Sequence, residues 1–179
     1  MYGPVIHGSN FLLRPPHDDD AAPMTTWFEN QEVTARLKRR LVPSLPEERE
    51  FLDHMARTPN AVFWVIEHEG RLVGTTVIGF IDWQHRRGKT GTLIGDPAAW
   101  GKGIAGEMMK LRARYAFDEL GLNKLSSSYL EGNEASARAQ AAAGYREVGR
   151  HRQHIWREGR WLDQIDTELL RDDWEAANR

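Results

Sequence analysis

The sequence contains no cysteine among its 179 residues. Disulfides, thiolate nucleophiles and zinc sites built on cysteine are therefore excluded. No apolar run approaches the roughly 20 residues that a membrane-spanning helix needs. Residues 1–10 also lack the basic and then apolar pattern of a signal peptide. We therefore expect a cytoplasmic protein that makes no membrane contact.

Neither sign of charge dominates, since 24 basic and 26 acidic residues leave a formal net charge of −2. A protein that neutralises many phosphates of DNA or RNA needs a clear positive excess, so nucleic-acid binding is not expected. Hydrophobic residues make up 40% and charged residues 28% of the chain, as in soluble globular domains. We predict a single domain over residues 1–179.

Hydrophobic periodicity predicts an α/β (α+β) domain with the element order β, α, α, β, β, β, α, β, α, β, β. The predicted strands cover 11–14, 62–66, 72–81, 89–95, 125–130, 147–156 and 161–170. The predicted helices cover 21–30, 46–57, 105–120 and 133–143. Residues 62–95 form an antiparallel meander, and the strand, helix and strand of 89–130 form a parallel crossover.

A glycine-rich loop, Trp100–Gly106, lies between a predicted strand and the 105–120 helix. Glycines let the backbone approach an anion, and the first N–H groups of a helix have no internal partner. The loop therefore favours phosphate binding, with Lys102 adding charge. Its G-x-G-x-x-G spacing also matches the nicotinamide fingerprint, but it follows a meander and no acidic residue stands in the next strand. The remaining alternative is a loop that only makes a turn.

At this loop the sequence resembles the GNAT superfamily of N-acetyltransferases, whose signature is Gln/Arg-x-x-Gly-x-Gly/Ala. Residues 100–105 match at both small positions, and Trp100 replaces the first residue. That replacement, together with Gly95-Asp96-Pro97, is similar to the branch that acetylates ribosomal-protein N-termini. The resemblance extends over segments 27–37, 72–83, 115–124, 133–145 and 157–161.

The resemblance implies a single GNAT-like domain with a central, mixed, mostly antiparallel splayed sheet flanked by helices. It implies acetyl-CoA as co-substrate, wedged between the strands that end at Gly95 and Leu130. Pantetheine contacts would come from the backbone of Leu93, Ile94 and Gly95 and from Asn133, and Arg138 is a candidate for the nucleotide end. The residues implied at the pyrophosphate are Trp100, Gly101, Lys102, Gly103, Ile104, Ala105 and Gly106.

The implied reaction is direct attack of a neutral primary amine on the acetyl thioester in a ternary complex. The position of the family's usual tyrosine acid holds Gln140, and that of its usual glutamate holds Lys89. Ser136 is the candidate acid, because the ribosomal-protein branch can carry a serine there, although a serine in a first helical turn is often only solvated. Glu131, His154 or an ordered water is the candidate base.

Several alternatives stay open at this point. Changes at the usual acid and base positions also fit a catalytically silent CoA-binding sensor or interaction module. The acceptor is the amine of a small molecule or of a protein N-terminus, and the final strands are a candidate homodimer surface. The basic run 36–40 is interpreted either as solvated helix surface or as a charged segment that attracts an acidic or phosphorylated substrate to the site. No metal is expected, since His151 and His154 stand three apart on a strand and would face opposite sides.

Overall fold

A computed structural model describes residues 1–35, 37–38 and 41–178. The strands are β1 Ile6–His7, β2 Leu12–Arg14, β3 Val62–His68, β4 Arg71–Asp82, β5 Arg87–Ile94, β6 Lys124–Leu130, β7 Arg146–Arg157 and β8 Arg160–Leu170. The helices are α1 Ala21–Trp27, α2 Gln31–Thr34, α3 Leu45–Arg57, α4 Ile104–Arg114, α5 Glu134–Ala142 and α6 Arg171–Asn178.

Within the part of the chain that the structure describes, eight strands form one sheet in the order β1-β2-β3-β4-β5-β6-β8-β7. Strands β2 and β3 pair antiparallel, as do β3 and β4, β6 and β8, and β7 and β8. Strands β5 and β6 pair parallel, from Arg87 with Lys124 to Lys89 with Ser126. The predicted mixed α/β sheet with a parallel crossover is therefore confirmed.

Local sequence signals explain where several helices begin and end. Helix α3 begins with a capping box in which Ser44 and Glu47 bond each other's backbone N–H groups. Asn133 caps α5 by accepting a hydrogen bond from the N–H of Ser136. Gly121 and Gly144 adopt φ values of 63° and 92° at the ends of their helical segments, as glycine at a helix terminus can.

The chain adds three elements to the predicted order, namely β1, α2 and α6. The predicted 105–120 helix is also interrupted, because α4 ends at Arg114 and Tyr115–Glu119 form a π-helical turn. Helix α6, Arg171–Asn178, consists mostly of polar residues, so it lacks the apolar periodicity that predicts a helix. It is held by Trp174, whose ring centroid lies 5.4 Å from that of Phe117.

By internal contacts the chain divides into two compact units. The first unit comprises Met1–Gly79 and Thr92–Ile104, and the second comprises Phe80–Gly91 with the described residues from Ala105 onward. In the first unit, buried side chains of β3 and of helices α1 and α3 form the core, among them Trp27, Leu52 and Phe63. The expectation of a single domain over residues 1–179 stays a prediction.

The second unit has its own buried core. Met108 and Ala113 of α4 are fully buried, as are Phe117 in the π-helical turn and Leu125 of β6. Leu169 of β8 is 2% exposed. Helix α4 therefore has one face buried in a hydrophobic interior.

Candidate functional site

The glycine-rich loop is entered through a short, well-bonded turn. Asp96 accepts a hydrogen bond from the N–H of Ala98 at 2.9 Å and caps the 3₁₀ turn Pro97–Ala99. The indole Nε1 of Trp100 then donates to the carbonyl oxygen of Ile94 at 2.9 Å. Trp100 thus links the loop to the end of β5. The indole N–H of this residue, which replaces Gln or Arg of the signature, is used in a hydrogen bond within the protein.

The glycines after Trp100 leave open space around the backbone. Gly101 and Gly103 have φ values of +75° and +80°, which glycine adopts without strain. Apart from the adjoining residues and, for Gly106, the backbone of its own helix, no heavy atom of the described residues lies within 4 Å of a Cβ built at Gly101, Gly103 or Gly106. Helix α4 begins at Ile104, so the N–H groups of its first turn, which have no acceptor within the helix, follow directly. This geometry fits the approach of a phosphate to the backbone.

The side chain of Lys102 contacts a buried histidine, His68. His68 is the last residue of β3 and is 4% exposed. Its Nδ1 lies 2.6 Å from the carbonyl oxygen of Asn10, which can only accept, so Nδ1 carries the proton. Nε2 then accepts from the Lys102 ammonium group at 3.3 Å. This hydrogen bond positions the ammonium group of Lys102, and with it the positive charge of the loop.

The end of β5 packs closely against β4 and α1. The N–H of Gly95 donates to the carbonyl oxygen of Val73 at 2.9 Å. A Cβ at Gly74 would lie 2.3 Å from the carbonyl oxygen of Leu93, and one at Gly95 would lie 2.0 Å from the ring of Trp27. Of the backbone groups expected to meet pantetheine, the N–H of Gly95 thus already has a partner within the first unit.

In the second unit, Ser136 belongs to a connected set of polar groups. The N–H of Ser136 donates to the Asn133 side chain at 3.2 Å, and its hydroxyl oxygen accepts from Gln140 Nε2 at 3.0 Å. Thr167 donates to Gln140 Oε1 at 2.5 Å. The cap uses the side-chain oxygen of Asn133 and not its NH₂ group, which is the end suited to donate to a ligand.

Arg138 is exposed on α5 and borders a cavity of about 270 Å³ in the second unit. Tyr129 and Glu147 also line this cavity, and the Tyr129 hydroxyl donates to the Glu147 carboxylate. Burial and then this hydrogen bond raise the pKa of Tyr129 to about 12. The phenol therefore stays protonated at neutral pH and acts as a hydrogen-bond donor.

The two candidate bases have different surroundings. The Glu131 carboxylate accepts a hydrogen bond from the N–H of Asp163 at 3.2 Å, which ties it to β8. His154 is exposed on β7. Its ring centroid lies 5.1 Å from that of His151, and His151 Nε2 lies 2.7 Å from Asp166.

The expectation that His151 and His154 face opposite sides of a strand was wrong. The register of β7 with β8 shifts between His151 and Ile155, and Gln153 has a φ of 50°. This irregularity inserts two extra residues into β7 opposite β8 and turns the two rings towards each other. No group of three or more His, Asp or Glu side chains suited to hold a metal occurs among the described residues.

Arg36, Arg39 and Arg40 of the basic run lie outside the described residues. In the ranges that the structure describes, no helix is both long and apolar enough to cross a membrane.

Comparison with known proteins identifies a family to which the chain belongs and a similar protein. Residues 10–146 match the family model "Acetyltransferase (GNAT) domain". The chain is also similar to the "Uncharacterized N-acetyltransferase YoaA" of Bacillus subtilis (strain 168). The two are 27% identical over 161 residues, which cover 87% of this chain and 90% of the relative.

Solved structures of similar fold include two with coenzyme A. The spermidine N-acetyltransferase of Vibrio cholerae, in complex with CoA and spermine, has a TM-score of 0.85 at 20% identity and covers 94% of this chain and 99% of its own. RimL, a ribosomal L7/L12 α-N-protein acetyltransferase in complex with CoA, has a TM-score of 0.84 at 14% identity, with the same coverage of 94% and 99%. At these identities the likeness concerns the fold.

Proposed function

Because the chain belongs to the GNAT acetyltransferase family, and is thus an acyl-CoA-dependent N-acetyltransferase, we propose that it transfers acetyl from acetyl-CoA to a primary amine in a ternary complex. One observation carries the cofactor assignment. The loop backbone at Gly101 and Gly103 is open where helix α4 begins, with Lys102 beside it. A pyrophosphate fits such a site because N–H groups, helix dipole and ammonium all favour negative charge.

The remaining coenzyme contacts are proposed from the same family resemblance. The pyrophosphate would meet Trp100 to Gly106, and the pantetheine arm would meet the backbone of Leu93 and Ile94. Asn133 is a proposed pantetheine ligand. The geometry of the cap supports this, because the cap uses the side-chain oxygen of Asn133 and not its NH₂ group. Arg138, exposed on α5, is the proposed contact for the nucleotide end.

The chemistry that these residues need to supply is modest. Holding amine and thioester together removes much of the entropic barrier. Ser136 is the proposed donor to the departing sulfur, and Glu131 and His154 are the proposed groups for taking the amine proton. The reaction balances when the C–N bond forms, the C–S bond breaks with its electron pair on sulfur, and one proton passes from nitrogen to sulfur.

The acceptor is proposed as either a small polyamine or a protein N-terminus. The solved neighbours support both classes, since the one acts on spermidine and the other on a ribosomal protein. A cytoplasmic location is proposed with these acceptors. A homodimer through β7 and β8 is likewise proposed, supported by the exposed Val148, Trp156 and Trp161.

A thiol-release assay with acetyl-CoA and an amine panel tests the proposed reaction. The panel pairs spermidine with peptides that carry free N-termini, and each peptide is matched by the same peptide with a blocked N-terminus. We expect CoA release that depends on one free amine. Tight CoA binding without release by any amine would favour the silent sensor or interaction module instead.

A further inference from the structure

A buried chain of hydrogen bonds links β8 to the first turn of α5. Thr167 Oγ1 donates to Gln140 Oε1 at 2.5 Å, and Gln140 Nε2 donates to Ser136 Oγ at 3.0 Å. Thr167 and Gln140 are each 3% exposed. A buried amide that is bonded at both ends is held in place, because losing either bond would leave a buried polar group without a partner. In the structure its oxygen faces Thr167 and its NH₂ group faces Ser136.

Helical geometry explains why these residues meet. Ser136 and Gln140 stand four residues apart and so lie one above the other on the same face of α5. A long helical side chain leans towards the helix N-terminus, which brings the Gln140 amide to the preceding turn. Asn133 holds the backbone of Ser136 at the same time. The serine is therefore fixed through both its main chain and its side chain.

The bond from Gln140 also decides what the Ser136 hydroxyl can do. A hydroxyl has one proton to donate and two lone pairs that accept. The Gln140 NH₂ group has no lone pair to offer, so it occupies an acceptor position and the Ser136 proton must point elsewhere. The donated bond also offsets the negative charge that grows on Oγ as the proton shifts towards sulfur.

We propose that Gln140, anchored by its hydrogen bond with Thr167, is a positioning residue that keeps the Ser136 hydroxyl as a donor to the leaving thiolate of CoA. The proposal rests on the proposed acetyl transfer and on Ser136 as its acid. In the step, the thioester C–S bond breaks with its electrons on sulfur and the serine O–H supplies the proton. Serine regains a proton that the attacking amine has released to the base.

The simplest other explanation is that Gln140 only packs α5 against β8. A thermodynamic measurement that needs no acceptor separates the two. The affinities for CoA and for desulfo-CoA are measured by calorimetry from about pH 6 to about pH 10, and their ratio gives the pKa of the bound thiol. Desulfo-CoA lacks the sulfur, so pH effects elsewhere cancel from the ratio.

The expected results form a double-mutant cycle. Ser136→Ala and Gln140→Leu should each raise the pKa of the bound thiol by about one unit. Ser136→Ala removes the hydrogen bond to the thiolate, and Gln140→Leu removes the hydrogen bond that positions the serine. The double variant should show no more than either single one. A shift from Gln140→Leu that persists in the Ser136→Ala background, or no shift in the wild-type background, would overturn the proposal.

Thr167 supplies a second route if Gln140→Leu does not fold. Thr167→Val should raise the pKa of the bound thiol in the same direction, and Thr167→Ser should restore the wild-type value because it keeps the hydroxyl. Equal values for Thr167→Val and wild type would contradict the proposal. Failure of wild-type protein to bind either CoA or desulfo-CoA would instead refute the proposed function, so the two failures are distinguishable.

Discussion

Two kinds of glycine stand within the first unit, and their surroundings differ. Gly74 and Gly95 have no room for a side chain, since a Cβ there would lie 2.3 Å from the Leu93 carbonyl oxygen or 2.0 Å from the Trp27 ring. At Gly101 and Gly103, no described atom outside the adjoining residues lies within 4 Å of the same position. The first kind permits close packing of the protein with itself. The second leaves space that only a ligand or solvent fills, so stability and ligand binding should respond to separate glycines.

The largest effect is expected at Gly74, where the obstructing atom belongs to the backbone. Gly74→Ala should lower the free energy of unfolding by about 3 kcal/mol, because overpacking must displace strand β5. Gly149→Ala is the matched control, since Gly149 also lies in a strand but has open space around its Cβ position. Urea unfolding should show little change for the control. Equal losses for both variants would contradict the packing argument.

Asp20 is the next test of the packed region. Burial opposes ionisation of Asp20, but hydrogen bonds from Arg14 and from the His17 N–H outweigh it and lower the pKa of the carboxyl. Asp20→Asn should therefore cost about 2 kcal/mol of unfolding free energy at pH 7.

The pH dependence of that loss follows from the sign of the shift. Stability from a lowered carboxyl pKa is present above the unfolded value of about 3.9 and disappears as pH falls through the folded value. The gap between wild type and Asp20→Asn should therefore close below about pH 4, while CoA affinity at pH 7 stays unchanged. A gap that is constant from neutral to acidic pH would exclude the charge as its cause.

Gly103→Glu tests the open region. A carboxylate there would occupy the space that we assign to the pyrophosphate, so CoA affinity should fall about 100-fold, or about 2.7 kcal/mol. The matched control is Gly159→Glu, because Gly159 has a similar φ of +76° and also has open space. Both variants should lose about 1–2 kcal/mol of stability from the strained backbone. Equal CoA affinities in the two folded variants would remove the pyrophosphate assignment.

The smallest expected effect concerns the charge of the loop. Lys102→Ala should weaken CoA binding about fivefold to tenfold, with a smaller effect at high salt, because one ammonium contact to phosphate is lost. Lys110→Ala, at an exposed position of the helix α4 that follows the loop, should leave affinity unchanged. Identical salt dependence of all three proteins would show that Lys102 does not meet the phosphates.

Much of the fold could be predicted, because several elements carry their own local signals. The capping box of Ser44 and Glu47 and the glycine ends at Gly121 and Gly144 act over a few residues. Strand β1 has only the residues Ile6–His7 and is formed by pairing with β2. Helix α6 depends on the contact of Trp174 with Phe117. Such long-range contacts leave no periodic trace in a short polar segment.

Prediction of the candidate site was limited in the same way. The glycine loop was visible because spacing and helix start are local, and the family match supports its interpretation. The bond between His68 and Lys102 joins residues 34 positions apart, and that between Thr167 and Gln140 joins residues 27 apart. The proximity of His151 and His154 depends on a β-bulge, which simple alternation along a strand does not anticipate.

The most direct test of the central claim is calorimetric titration of the purified protein with acetyl-CoA, with NADH as the control ligand. We predict binding of acetyl-CoA with a dissociation constant in the micromolar range and no binding of NADH. The same titration should show much weaker acetyl-CoA binding for Gly103→Glu and the wild-type affinity for Gly159→Glu. Absence of acetyl-CoA binding to the folded wild-type protein would contradict the account.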